Sequence, residues 1–331
     1  MGQGNLTASP VELPAGAAVG GRVLYNRASS FFCAVFPPVV VSHISSASEF
    51  GAPPGGDAGD RDHHSGRGHL DGRGNSGGGR RRARRLLHRL GSPPWVYGLA
   101  ARWAGRLGWA ALGLFAAGTV GGLALAPADY QMGDSYRILY VHAPAAWMSM
   151  FAYAVLAAAA GAGLVWRMKL GDAVARACAP LGAAFTLCAL VTGALWGRPT
   201  WGTYWVWDAR LTSELVLLFL FLGYMALAEA LDDRRSGARA AAVLALVGVV
   251  NLPIIHFSVE WWNTLHQGAS VTRLGRPRID TRMLIPLLIM FAAFNVYFVA
   301  ALLNRVSCEL LERERRTRWA AEAARGRGGH A

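Results

Sequence analysis

A chain of 331 residues that is 53% hydrophobic, only 16% charged and has a mean hydropathy of +0.27 is too apolar for a soluble domain of this length. Its net charge of +13 would suggest nucleic acid, but the Arg residues gather in the N-terminal tail and beside apolar runs, which fits membrane topology and argues against a nucleic-acid partner. The four cysteines, Cys33, Cys178, Cys188 and Cys308, form neither CxxC nor CxxCH. That excludes a dithiol exchange motif and covalent heme of the c-type cytochrome kind.

Residues 1–90 are rich in Gly, Ser, His and Arg and are predicted to be a disordered tail, because they cannot bury enough apolar surface to offset the entropy of ordering. The apolar piece 31–41 follows Arg22 and Arg27 as a signal peptide would. Pro37 and Pro38 interrupt it, however, and Arg80 to Arg85 would then lie outside, against the charge rule. The tail also raises the expectation of a start assigned too far upstream. Sequencing the mature N-terminus tests this, and finding Met1 would remove it.

Six apolar runs follow, at 107–126, 144–166, 179–196, 211–231, 240–259 and 283–303. Each is near the roughly 20 residues needed to cross a bilayer as helix, and no period-two alternation suggests strands. The predicted fold class is therefore an all-α polytopic membrane protein with six transmembrane helices over 91–310 and a basic tail over 311–331. Lys and Arg near the helix ends number fourteen on the side of both termini against seven on the other, which predicts cytoplasmic termini. The outer loops are then 127–143, 197–210 and 260–282, the last of them unusually basic.

The outer loops hold the unusual residues. Trp196, Trp201, Trp205 and Trp207 fall with Tyr204 within twelve residues, and Trp261 and Trp262 open the third loop, so half of the 12 Trp lie there. An interfacial aromatic belt accounts for any single ring. A belt would be shared by both faces, whereas the inner side has only Trp103, Trp109 and Trp166 near helix ends. The Gly and Pro spacers suggest a folded loop presenting rings to a large, flat, apolar ligand with polar edges.

Of the nine histidines, His43, His63, His64, His69 and His88 lie in the tail and His330 at the C-terminus. His142 precedes Pro144, which is suited to the first turn of the second helix. His266 follows the Trp261–Trp262 pair. A lone outer histidine is ordinarily a satisfied polar residue. Two on the face of an indole cluster fit axial ligation of heme iron, whereas zinc would require four closely set ligands that the sequence does not supply. His256, three residues after Pro253, is expected to pack toward the bundle, with heme entry as the alternative. Arg198 and Arg210 flank the Trp loop and suit bidentate carboxylate contact, as with heme propionates. Asp208 is expected to organise the loop or cap the fourth helix. Glu214 is expected in that helix's first turn, with no chemical role.

The stretch Trp201-Gly-Thr-Tyr-Trp-Val-Trp-Asp-Ala-Arg-Leu-Thr resembles the tryptophan-rich "WWD" motif of heme-handling membrane proteins. Three further stretches agree: Ala126-Pro-Ala-Asp-Tyr-Gln, Ser135 through Ala146, and Val250 through Gly268. Together they resemble the heme exporter protein C family of system I cytochrome c maturation over about residues 93–310. The resemblance implies six spans and non-covalent heme b. It also implies axial ligands at His142 and His266, and a stacking surface of Trp201, Trp205, Trp207 and Asp208. The partners it implies are the periplasmic heme chaperone CcmE, the small membrane subunit CcmD and the cassette-transporter subunits CcmA and CcmB, in the bacterial inner membrane. Departures are the long tail, Tyr204 where another Trp often stands, and the basic outer loop from Arg273 to Arg282.

A relay that holds and delivers heme is thus the expected function, with no catalytic residue. A transmembrane transporter of heme or another amphiphile is the alternative. It would require polar lining and broken helices, and the sequence offers interruptions only at Pro253 and Pro286. A membrane enzyme such as a heme lyase or a quinol oxidoreductase subunit, or a structural assembly subunit, stands further off.

Overall fold

The computed structural model describes residues 92–266 and 279–325. The expectations for the tail 1–90, for most of the basic third loop and for the last six residues lie outside them. The described residues form helices α1 (Pro93–Val120), α2 (Leu139–Trp166), α3 (Lys169–Trp201), α4 (Ala209–Ala230), α5 (Arg234–Val247), α6 (Asn251–Trp261), α7 (Thr281–Arg313) and the short α8 (Arg318–Arg325). Six helical segments are long and apolar enough to cross a membrane, α5 and α6 together making the fifth. The molecule is an all-α, six-span membrane protein, as the apolar runs predict.

Local chemistry explains where the helices begin. Asp208, Asp233 and Asp280 are N-caps of α4, α5 and α7, each accepting from backbone N–H groups of the first turn. The α2–α3 pair forms the centre, α1 packs chiefly along α7, and α4 leans on α3 and α5. Tyr153 and Phe221, both fully buried, meet edge to face at 5.1 Å and lock α2 against α4.

Several boundaries differ from the sequence expectation, each for a physical reason. Pro144 lies inside α2, because a 3₁₀ turn (Asp134–Ile138) and a further helical turn precede it. Buried Tyr136 and Tyr140 pack edge to face at 6.1 Å and hold that extra turn on the bundle. His142 is consequently a helical residue, not a loop residue. Helix α3 likewise continues through Pro199 to Trp201, so Arg198 and Trp201 ride on its last turn. It stops at Gly202, whose φ of +78° ends a helix without the steric cost a Cβ would add.

Helix interruptions also fall elsewhere than at the prolines. The fifth span breaks at a 3₁₀ turn (Gly248–Val250), and the first ends in a π turn (Gly121–Leu125). Pro286 lies within an unbroken α7. Arg137 Nη1 donates to Gly122 O at 2.5 Å, so the side chain serves a carbonyl of that π turn.

Candidate functional site

At one end of the bundle the 202–208 loop, the end of α3, the start of α2 and the segment after α6 converge. His142, on the first turns of α2, faces α3. Its Nδ1 lies 3.0 Å from Ala189 O and 3.1 Å from Thr192 Oγ1. A carbonyl only accepts, so Nδ1 carries the proton and the lone pair is on Nε2. Thr192 donates its own proton to Cys188 O at 2.6 Å, leaving its oxygen free to accept from the imidazole. A carbonyl that fixes the tautomer from behind is the usual support of a metal-ligating histidine. Gly193 makes room for the ring: a Cβ there would stand 2.9 Å from His142 Cε1.

His266, half-buried, reaches the same place from the far side of the chain. Its ring centroid is 6.5 Å from that of His142, with 36° between planes. Two imidazoles sharing one metal, each nitrogen about 2 Å from it, have centroids about 6 Å apart. Burial, then the nearby Arg210 charge and the His142 ring, push the His266 imidazole down to about 3. It is thus neutral, as ligation requires, through the physiological range.

Indoles wall the pair. Trp201 lies 5.0 Å from His266, and Trp196 meets His142 edge to face at 5.8 Å. Trp205 and Trp207 pack on each other at 5.4 Å, with Trp207 75% exposed. The predicted platform therefore divides: Trp201 packs against His266, while half-buried Trp205 packs against exposed Trp207. Asp208 caps α4, accepting from Leu211 N at 2.8 Å, as expected of it. The two predicted arginines differ in setting. Arg198 is exposed, donates to Gly202 O at 2.5 Å and lies over the Tyr204 ring. Arg210 is half-buried, donates to Ile255 O at 3.3 Å and acts electrostatically on both imidazoles.

Buried Trp196 Nε1, Trp205 Nε1, Asp208 Oδ2 and His266 Nδ1 have no hydrogen-bond partner. Of these, His266 Nδ1 belongs to the imidazole pair and Trp196 Nε1 to an indole packed against it, and unmet polar groups there suit a flat ligand with a metal at its centre and polar groups at its edge. No cluster of three or more His, Cys, Asp or Glu positioned to hold a metal ion occurs among the described residues.

Two sequence expectations need correction. His256 does not pack toward the bundle. It is exposed on α6, where it meets Phe257 edge to face at 4.7 Å. The bundle-facing positions beside it are taken by buried Ile255 and Ser258. Glu214 is not in the first turn of α4 but in the second, buried at 8% exposure and bonded to Ser149. Sequence reasoning also missed the support from α3. Ala189, Thr192, Gly193 and Trp196 recur at i, i+3, i+4 and i+7, a spacing that marks one helix face.

Fold and site together define a class: a six-span membrane protein with a facing pair of imidazoles walled by indoles at one end. The family model for heme exporter protein C (CcmC) matches residues 86–321. Heme exporter protein C of Escherichia coli K12 is 50% identical over 244 residues, covering 74% of this chain and 98% of that protein. The Haemophilus influenzae protein of the same name is 50% identical over 233 residues, covering 70% and 95%. That of Bradyrhizobium diazoefficiens is 55% identical over 202 residues, covering 61% and 77%. The chain belongs to the heme exporter protein C family.

Proposed function

We propose that this chain holds non-covalent heme b between His142 and His266 and hands it to the periplasmic heme chaperone CcmE for cytochrome c maturation. The single observation that carries this function is the spacing of the two imidazoles, 6.5 Å between centroids on elements 124 residues apart in sequence. Family membership points the same way.

In this account the protein is a multi-pass protein of the bacterial inner membrane, with residues 91–310 as its heme-handling domain. Both termini and the basic 311–331 tail are cytoplasmic, and the site faces the periplasm. His142 supplies Nε2 to one side of the iron, its tautomer fixed by Ala189 O, and His266 supplies the other. Trp201 covers one imidazole. Trp205, Trp207 and Asp208 form the margin where a partner can approach the ring edge, with Trp207 its exposed member. Arg210 and Arg198 receive propionates. Heme brings its own redox and ligand chemistry, and the chain contributes orientation, a dry wall and charge. No group acts as a catalyst in this scheme. CcmD and the transporter subunits CcmA and CcmB are the membrane partners.

The test is an optical spectrum of the purified protein and of His142→Ala and His266→Ala. Wild type is expected to carry a Soret band with a six-coordinate low-spin signature. Each variant is expected to lose that signature and most cytochrome c assembly. Variants that keep full heme and full assembly would sink the proposal, as would labelling that places positions 142 and 266 in different compartments.

A further inference from the structure

At the end of the bundle away from the imidazoles, α4 and α7 both pack on α3 and barely touch each other. The gap they leave beside α3 is a cavity of about 300 Å³. Arg176 of α3 and Arg305 of α7 are on its wall. Both stand just outside the apolar runs of their spans, 179–196 and 283–303, which puts them at the boundary between hydrocarbon and headgroups. Nothing in the heme relay above uses them.

Backbone carbonyls fix both guanidiniums. Arg176 Nη2 donates to Ala228 O on α4, and Arg305 Nε donates to Ala177 O on α3 at 3.0 Å. Ala228 O is among the last carbonyls of α4, which no N–H of that helix reaches, so Arg176 closes the helix end. That structural role occupies one N–H and leaves Arg176 Nε buried without a partner. A guanidinium presents its N–H groups as a planar fork that matches a phosphate or a carboxylate. An unmet buried donor on a cavity wall therefore calls for an anion in the cavity.

The rest of the lining gives the order of groups in that occupant. Pro180 lies one turn further into α3 than Arg176, and Tyr224 and Met225 lie one turn further into α4 than Ala228, so the floor is largely apolar. Glu229 and Glu312 are exposed, on the last turns of α4 and α7, and form the mouth. No ion pair among the described residues engages either of them, whereas Glu309 on the same wall is taken by Arg234 and Arg313. From the bilayer centre outward the lining thus reads apolar, cationic, anionic. Acyl chain, phosphate and ammonium follow in the same order in an aminophospholipid. We propose that this cavity seats a phosphoethanolamine lipid, its phosphate on Arg176 with Arg305 adding charge, and its ammonium between Glu229 and Glu312. Basic pockets between spans are suited to lipid phosphate, and the acidic mouth here adds selection for a headgroup that carries a cation. The topology above makes this a lipid of the cytoplasmic leaflet. The heme function is not needed for it.

Native mass spectrometry tests it, on full-length protein delipidated in dodecyl maltoside and titrated with phosphatidylethanolamine or phosphatidylglycerol. One phosphatidylethanolamine per chain is expected, preferred over phosphatidylglycerol by about tenfold, because the second lipid sets a net negative headgroup against two carboxylates. Arg176→Gln keeps a donor for Ala228 O and is expected to lose the bound lipid. Glu229→Gln combined with Glu312→Gln alters only exposed side chains and is expected to keep one bound lipid while losing the preference. Equal binding of the two lipids by wild type, or a preference unchanged in the double variant, would overturn the proposal. Displacement of the lipid by an equal concentration of glycerophosphoethanolamine or inorganic phosphate would also overturn it, since the occupant would then be a soluble phosphate. If the melting curve shows that Arg176→Gln does not fold, the double variant decides alone. A wild-type chain with no one-lipid species would sink the idea outright and leave the cavity to a protein partner.

Discussion

The two ends of the bundle treat their polar groups in opposite ways. At the end bearing the α2–α3 and α4–α5 turns, Arg234 and Arg313 both bond Glu309. Arg313 Nη1 also donates to Lys169 O, Arg305 Nε donates to Ala177 O at 3.0 Å, and Arg176 donates to Ala228 O. At the imidazole end the pattern reverses. Of the eight buried side-chain polar atoms without a partner among the described residues, six lie there: Tyr136 Oη, Tyr140 Oη, Trp196 Nε1, Trp205 Nε1, Asp208 Oδ2 and His266 Nδ1. A buried unpaired polar atom costs about 1–3 kcal/mol. A fold that leaves Arg176 Nε unpaired at one end and six such atoms at the other is anchored at the first, and the second is the end proposed to take the ligand.

Removal of either imidazole should have the largest effect, since it deletes one of the two proposed iron ligands. The sharpest break of the comparison comes next, from a change that adds an atom. Gly193→Ala adds a Cβ that would meet His142 Cε1 at 2.9 Å, so the imidazole must swing off its carbonyl support. In a helix interior Ala is otherwise better than Gly by roughly 0.5–1 kcal/mol. The expected outcome is a thermal midpoint equal to or above wild type, with heme affinity reduced about 10- to 100-fold, the usual cost of disturbing the support of a metal ligand. Hemin titration and a melting curve on the same preparation check it. Undiminished affinity would show that the ring's seat on α3 is irrelevant to binding.

That seat also shows what the sequence could and could not reveal. The six spans, the N-cap at Asp208 and the imidazole pair were readable, because apolar run length, an Asp before a helix and two His beside a Trp cluster each carry their cause locally. The helical placement of His142, Arg198 and Trp201 was not. Pro144 and Pro199 suggest boundaries, but packing of Tyr136 and Tyr140 and the left-handed Gly202 decide where the helices end. Glu214 and His256 were misjudged for a related reason. Span length says that a residue is at membrane depth, and only tertiary packing says which way it faces.

A milder way to sharpen the comparison is Thr192→Val. It removes the hydroxyl 3.1 Å from His142 Nδ1 while leaving Ala189 O at 3.0 Å to hold the tautomer. With one of two acceptors kept, heme affinity should fall only a few-fold, short of the roughly tenfold lower bound for losing a ligand's whole support. A fall as large as that of Gly193→Ala would place the essential acceptor on the threonine rather than on the carbonyl.

The smallest effect on heme is expected from the opposite end. Glu309 Oε1 receives both Arg234 and Arg313, and the three side chains keep 49%, 16% and 19% exposure for Arg234, Arg313 and Glu309. Glu309→Gln preserves the shape and removes the charge that both guanidiniums share. Pairs with this much solvent contact contribute about 0–1 kcal/mol each after screening, so a shallow drop in melting temperature is the expected cost. Heme affinity and the Soret band should not change, because the arginine-rich end contributes no atom to the imidazole pair. If Glu309→Gln instead weakened heme binding as much as Thr192→Val, the two ends would be energetically linked through the bundle. The division between an anchored end and a binding end would then fail.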